Sequence, residues 1–478
     1  MGDHLRFWRM DFPPLIAVLA NVQTAIFGHT LAAARVFPAI EGALVLVVAV
    51  LIARELGGAR AAQALTALAV LSGGIFLRPS NLFQPVVLDQ LWWTCALYAL
   101  LRVGRAAGEG SAPGQRNWWL AFGVAMGLGL LTKFSILFFG LATLVALVVT
   151  PLRRALGTPW PWVAAAMAFA IGSPSITGQI ALGFPVVHQM RQLTASQLSH
   201  VSWLSFVVAQ PFMVGFAAWP LAVAGAVALV AWTPLAPYRA AGWACAFAFL
   251  LLLLLHGKAY YIGPVYPTLL AAGAVWLERM STGPAPRVRP TLRWTVAALI
   301  VVEGVISLPV ALPLLKPEAT AVYIVRVGEE WALGTNWGGT DLLPQDFADQ
   351  LGWEHQAQAL ARVYRSLSPE EQREAVIGAP NYGEAGAAEF YAAKYGLPPV
   401  VCGCGSYWFF GPGTRPGKVL ISIGNTPKDL SPLYADIQPA GRILSPWSVD
   451  EERNVPLLVA RQPKATLQQA WPELYDRN

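Results

Sequence analysis

The chain has 478 residues, 55% hydrophobic and only 13% charged, about half the charged share of a typical soluble domain. Its net charge is +6, but no Lys/Arg run interleaved with aromatics occurs, which excludes a nucleic-acid-binding protein. Up to Leu315 there are 19 Lys/Arg and 8 Asp/Glu, and from Lys316 onward 14 and 19, so the two parts of the chain suit different environments.

Taken in chain order, Phe12–His29 reads as a separate helix. Pro13 and Pro14 suit a first turn, and Leu15, Val18, Leu19, Val22 and Ile26 recur at helical spacing. Arg35 and the parity of the later loops favour a helix in the outer interface over a span. Residues 1–32 then form part of a first outer loop. Ten apolar segments follow, near 35–53, 61–77, 86–101, 117–132, 134–150, 160–178, 204–231, 241–256, 260–277 and 294–314. Each approaches the roughly 20 residues that a bilayer core requires, and together they make 33–315 a transmembrane domain.

Positive charge orients these spans. One set of alternate loops holds Arg54, Arg60, Arg102, Arg105, Arg116, Arg153, Arg154, Arg239, Arg279, Arg287, Arg289 and Arg293. The other holds Arg78, Lys133, Arg191 and Lys258, with Arg6, Arg9 and Arg35 ahead of them. The richer set is expected in the cytoplasm, which puts both ends of the chain outside. No signal peptide precedes residue 12, so this pattern predicts a missing first span.

Beyond Leu315 the pattern becomes that of a soluble α/β domain, 316–478, expected on the outer side. Helical stretches near 355–366 and 383–395 alternate with strand-like runs at Ala375–Gly378, Val419–Ile423 and Leu457–Ala460. Asn381-Tyr382-Gly383-Glu384 reads as a strand-to-helix turn with an acidic helix start, or as a contact to a sugar. Cys95 and Cys245 lie in apolar spans as small core residues. Cys402 and Cys404 lack the second Cys/His pair of a zinc site, and packing is the expected role.

Charge at bilayer depth costs several kcal/mol on insertion scales. Glu41, Asp89, Lys133, Lys258 and Glu303 therefore stand out. Glu41 and Glu303 read as helix-packing or cavity residues. Asp89, Lys133, Lys258 and Arg78 all fall near outer helix ends, where they either converge on one cavity or, for Lys and Arg, snorkel to the headgroups. His256-Gly257-Lys258-Ala259-Tyr260-Tyr261, followed by Pro264 and Tyr266-Pro267, joins a cation to two phenols. That set suits a lipid-linked phosphate, and equally an interfacial anchor.

Several of these segments resemble glycosyltransferase family 39, the bacterial relatives of protein O-mannosyltransferases and of the aminoarabinose transferase of lipid A. Asp11-Phe12-Pro13-Pro14-Leu15 is similar to the family's Pro-Pro-Leu segment, with Phe12 where His is usual. Asp89 in Val87-Leu88-Asp89-Gln90-Leu91-Trp92 resembles a second acidic position. Leu131-Thr132-Lys133-Phe134 looks like the Leu-Ser/Thr-Lys-Tyr/Phe segment, and Gly257-Lys258-Ala259-Tyr260-Tyr261 like the Gly-Lys-x-Tyr-Tyr run. Asn381–Ala387 and Ser406-Tyr407-Trp408 resemble the soluble domain of a bacterial subgroup.

The resemblance implies a GT-C-like polytopic α-helical membrane protein of the bacterial plasma membrane. It implies inverting transfer of a sugar from a polyprenyl-phosphate donor to a lipid, polysaccharide or protein acceptor at the outer face. Lys258, Tyr260, Tyr261, Lys133 and Arg78 would hold the donor phosphate, and Asp89 and Asp11 would be the catalytic carboxylates. The family's Asp-Glu pair lies upstream of Pro-Pro-Leu, and neither Asp3 nor Asp11 is followed by Glu, so the chain is expected to be N-terminally truncated. No cofactor is identified. Some relatives use a divalent ion, for which no convincing ligand cluster appears. Two other readings stand beside this one. A multispanning transporter would accumulate substrate without sugar transfer; an inactive remnant would fold and do neither.

Overall fold

The computed structural model describes residues 2–282 and 286–475 and divides into two compact units, Met1–Leu314 and Leu315–Asn478. The first is helical. Among its described residues, five helices are long and apolar enough to cross a membrane, or eight if each of three bent pairs is one span. Helix α1 (Leu15–Phe27) precedes α2 (Val36–Glu55), α3 (Arg60–Ser72), α4 (Pro85–Gly108), α5 (Ala112–Leu130), α6 (Ile136–Val149) and α7 (Trp160–Ala181). Then come α8 (Pro185–Ser196), α9 (Trp203–Val214), α10 (Trp219–Ala231), α11 (Arg239–Leu254), α12 (Tyr266–Ser281) and α13 (Leu292–Ala311).

All ten apolar segments are helical, but five differ from simple spans: three are bent, and two are not long and apolar enough alone. The segment expected at 204–231 is broken into α9 and α10, bent by 110°. Pro211 lies inside α9 and Gly215 takes φ 101° after it, which ends the helix where a side chain would be strained. The amides of Phe216 and Ala217, in the turn between the two helices, donate to Glu303 at 2.5 and 2.7 Å, so Glu303 of α13 holds the break. Helices α5 and α12 do not meet the span criterion alone. α12 has 16 residues and is buried along nearly its whole length, a central helix that packs against helices and not lipid. A Cβ on Gly225 of α10 or Gly273 of α12 would overlap the carbonyl oxygens of Leu269 and Leu221. These glycines let two backbones meet, the close packing typical of membrane helices.

Polar ties mark one end of this bundle. Glu278 accepts from Ala59 N at 2.7 Å and Ala62 N at 3.0 Å, capping α3. Glu55, almost fully buried, lies 3.3 Å from Arg102 and 3.4 Å from Arg105, and accepts from Tyr238 Oη at 3.3 Å.

The second unit begins with α14 (Pro317–Val327) and builds a five-stranded sheet in the order β2-β1-β3-β5-β4. The strands are β1 (Ala375–Ala379), β2 (Val400–Cys402), β3 (Val419–Ile423), β4 (Tyr434–Leu444) and β5 (Asn454–Pro463). β1 pairs in parallel with β2 and β3, while β5 runs antiparallel to β3 and β4. Helices α15 (Trp353–Ser366) and α16 (Tyr382–Tyr395) pack together. The fully buried β1 and β3 read as continuous apolar runs, as parallel strands covered on both faces do. Asn381 is the N-cap of α16: its Oδ1 accepts from Gly383 N at 2.9 Å and Glu384 N at 3.0 Å.

Candidate active site

Near the opposite end of α4 from Arg105, three connections bring chemistry together. Asp89 sits in the second turn of α4, fixed by Pro85 at its first position, and is 4% exposed. Its Oδ1 accepts from Trp93 Nε1 at 3.0 Å and its Oδ2 from Ser135 Oγ at 2.8 Å. Lys133 Nζ stands 3.9 Å from Oδ2. Lys133 lies in the break between α5 and α6, and Trp92 Nε1 donates to Thr132 Oγ1 at 3.0 Å, which holds this break against α4.

The third connection is a 3-10 turn, Ala259–Val265. A Cβ on Gly263 would press on Gln90 Nε2 at 2.9 Å, and Gln90 donates to Ile75 O at 2.8 Å, so this turn lies directly on α4. It carries Tyr260 and Tyr261, whose rings meet edge to face at 4.8 Å. Lys133 Nζ lies 4.5 Å from the Tyr261 ring centroid and 5.7 Å from that of Tyr260. The ammonium is thus held by a carboxylate on one side and two aromatic faces on the other, each attractive to a cation. Lys258, at the start of the same turn as Tyr260 and Tyr261, donates from Nζ to Gln197 Oε1.

Asp89, Lys133, Tyr260, Tyr261 and Lys258 therefore share one place. Arg78 and Asp11 lie on segments that contact its surroundings. Arg78 stands three residues beyond Ile75. The backbone oxygen of Asp11 accepts from Gln179 Nε2 at 2.5 Å, and its segment runs onto the Lys133 break, since Leu15 N donates to Leu131 O at 3.0 Å. Glu41 is buried within α2, and Glu303 accepts from the turn between α9 and α10. Sequence reasoning missed Ser135, Trp93, Gln197 and Gln210. Gln210, 0% exposed, accepts from Tyr266 Oη at 2.7 Å and donates to Ala259 O at 3.3 Å, anchoring the tyrosine turn. Its signal was an amide inside an apolar helix, where an unpaired polar group is costly. Among the described residues no group of three or more His, Cys, Asp or Glu is arranged to hold a metal ion.

A half-buried cluster of cations and phenols beside a carboxylate suits an anionic ester better than a neutral solute. Residues 11–177 match the family described as dolichyl-phosphate-mannose-protein mannosyltransferase. Two crystal structures of ArnT from Cupriavidus metallidurans share the fold over nearly the whole chain. The apo form gives a TM-score of 0.59 at 20% identity, covering 94% of this chain and 88% of that one. The form bound to undecaprenyl phosphate gives 0.59 at 19% identity, covering 95% and 88%. The chain has the GT-C fold. Comparison with curated proteins finds no match in sequence.

Proposed function

We propose that the protein transfers a sugar from a polyprenyl-phosphate donor to an acceptor at the outer face of a bacterial plasma membrane. The observation that carries this reading is the convergence of Lys133, Lys258, Tyr260 and Tyr261 from two separate connections onto the end of α4. ArnT, which has been solved with undecaprenyl phosphate, supports the choice of donor.

In such a transfer an acceptor hydroxyl oxygen attacks the anomeric carbon and gives its proton to a base, the bond from that carbon to the phosphate oxygen breaks, and polyprenyl phosphate leaves with the electron pair. The charge develops on the phosphate, so fixed donors there lower the barrier most. Lys133 and Lys258 supply positive charge, and the Tyr260 and Tyr261 hydroxyls supply donors, with Arg78 assigned to the outer edge of the same phosphate. Asp89 has both oxygens engaged and almost no exposure. Its role in this reading is to position Lys133. Asp11, on the segment that runs onto the Lys133 break, is the carboxylate assigned to the acceptor side.

The test is single-turnover transfer from a radiolabelled polyprenyl-phosphate sugar by the purified chain in lipid nanodiscs. Lys258→Ala is expected to weaken donor use by roughly tenfold or more, the scale of a lost charge-assisted contact. Wild-type donor dependence in that variant, with Lys133→Ala equally silent, would remove the phosphate site from the proposal.

A further inference from the structure

The soluble unit carries a motif that sugar transfer in the helical unit leaves unused, Asn381-Tyr382-Gly383-Glu384. Its position in the sheet is particular. From β1 the chain passes through α16 to β2 on one side, then crosses to β3 on the other. The carboxyl ends of β1 and β3 therefore flank a switch point, where diverging loops leave a crevice and open parallel sheets bind ligands. Pro380–Glu384 and Gly424–Thr426 form two walls. Asp450–Glu452 supplies a third, because β5 starts at this end: Leu457 pairs with Ile423, and Gly424 N donates to Pro456 O at 3.0 Å. Trp353 closes the fourth, its ring 3.3 Å from the place a Cβ on Gly383 would take.

Glu384 is the floor. It is 3% exposed, and Gln356 Nε2 fixes its backbone by donating to its carbonyl at 3.0 Å. Its Oε1 lies 3.6 Å from the Cβ position of Gly424, so the carboxyl group reaches across from β1 toward β3. Its Oε2 has no hydrogen-bond partner. A buried carboxyl oxygen without a donor is unfavourable, and a bound molecule is what would supply one. Above this floor stand half-buried Glu452, exposed Asp349 and Tyr382, the last 67% exposed.

The chemistry narrows the ligand. Burial first, then neighbouring carboxylates, raises Glu452 to about 8; burial, opposed by the Asn381 N–H, holds Glu384 at about 7. Carboxyl groups in this range both donate and accept hydrogen bonds. They are not spaced for a metal ion among the described residues. An outward aromatic ring beside such groups offers an apolar platform next to polar partners. A polyhydroxylated ring, with hydroxyls at its edge and C–H bonds on its face, matches both.

We propose that this crevice is a saccharide-binding subsite, in which Glu384 and Glu452 hydrogen-bond sugar hydroxyls and Tyr382 packs against a pyranose face. It does not require transfer in the helical unit, since binding here stands or falls without turnover. The sugar is either that of a lipid-linked donor or that of an acceptor glycan.

The experiment is saturation-transfer NMR on the full chain in nanodiscs, with neutral methyl hexopyranosides as probes. Wild type is expected to transfer saturation to the ring protons, and Tyr382→Ala and Glu384→Gln each to weaken binding about tenfold, as loss of a central contact does. Tyr382 is exposed, so its variant keeps the fold even if Glu384→Gln does not. Displacement of the probe by polyprenyl-phosphate sugar assigns the site to the donor; persistence assigns it to the acceptor. Absence of transfer in wild type, or equal transfer in both variants, overturns the proposal, as does preference for a simple alkylamine over every pyranoside.

Discussion

Lys133 shows how a single side chain is made available at a membrane protein's polar end. An ammonium in this position would ordinarily turn toward the headgroups. Here Asp89 at 3.9 Å and the Tyr261 ring at 4.5 Å hold it in place, while Trp93 and Ser135 hold Asp89. The order of dependence can be measured. If Asp89 works through Lys133, Asp89→Asn should reduce transfer by roughly tenfold, and adding it to Lys133→Ala should cost little more, since the pair then no longer exists to be broken. Multiplicative losses in the double variant would instead give Asp89 a task of its own. Gln197 adds a second constraint, for it accepts from Lys258.

At the scale of elements, the acidic crevice in the sheet gives the soluble unit a pH dependence with a definite sign. Glu384 and Glu452 are raised from 4.5 to about 7 and about 8, so between those limits the folded unit binds more protons than the unfolded chain. Their contribution to stability is complete below about 4.5 and is lost as pH rises through 7 and 8. Hydrogen exchange of the full chain, corrected for intrinsic rates, should show less protection across 380–391 at pH ~8.5 than at pH ~6. Glu384→Gln should flatten that difference, and an unchanged profile in this variant would place the dependence elsewhere. The same unit shows what sequence can yield. β1, β3 and β5 announce themselves as apolar runs, and α16 by its Asn381 cap. β2 is three residues long behind Pro398 and Pro399, and β4 is an exposed edge strand with Pro439 and a register shift at Gly441, where the usual strand signal is absent. In the helical unit, hydropathy located the apolar helices but neither α8, which lies outside the ten segments, nor the 110° break at Gly215, which Glu303 from a distant helix helps to hold. The lysines and tyrosines of the site were legible as misplaced polar groups in apolar sequence. Ser135 and Gln210 were not, since their importance lies in whom they touch.

At the scale of the whole membrane unit, the polar groups sort to two ends. One end gathers Glu55 with Arg102, Arg105 and Tyr238, together with Glu278 capping α3 and Arg279 Nη2 donating to Leu56 O at 3.1 Å. The other gathers Asp89, Lys133, Lys258 and the paired tyrosines. Helix α4 runs through both, and sixteen residues separate Asp89 from Arg105, about 24 Å of helix. That is close to the hydrocarbon thickness of a bilayer. The arginine-bearing end matches the loops richest in positive charge, which the positive-inside rule assigns to the cytoplasm; the proposed function requires the other end, with the candidate site, to face outward. Reporter fusions discriminate the two orientations. Alkaline phosphatase joined after Arg154 should be inactive and after Arg191 active, whereas a fluorescent protein that matures only in the cytoplasm should give the reverse. The opposite pattern at both positions would turn the candidate site toward the cytoplasm and exclude an outer-face transfer.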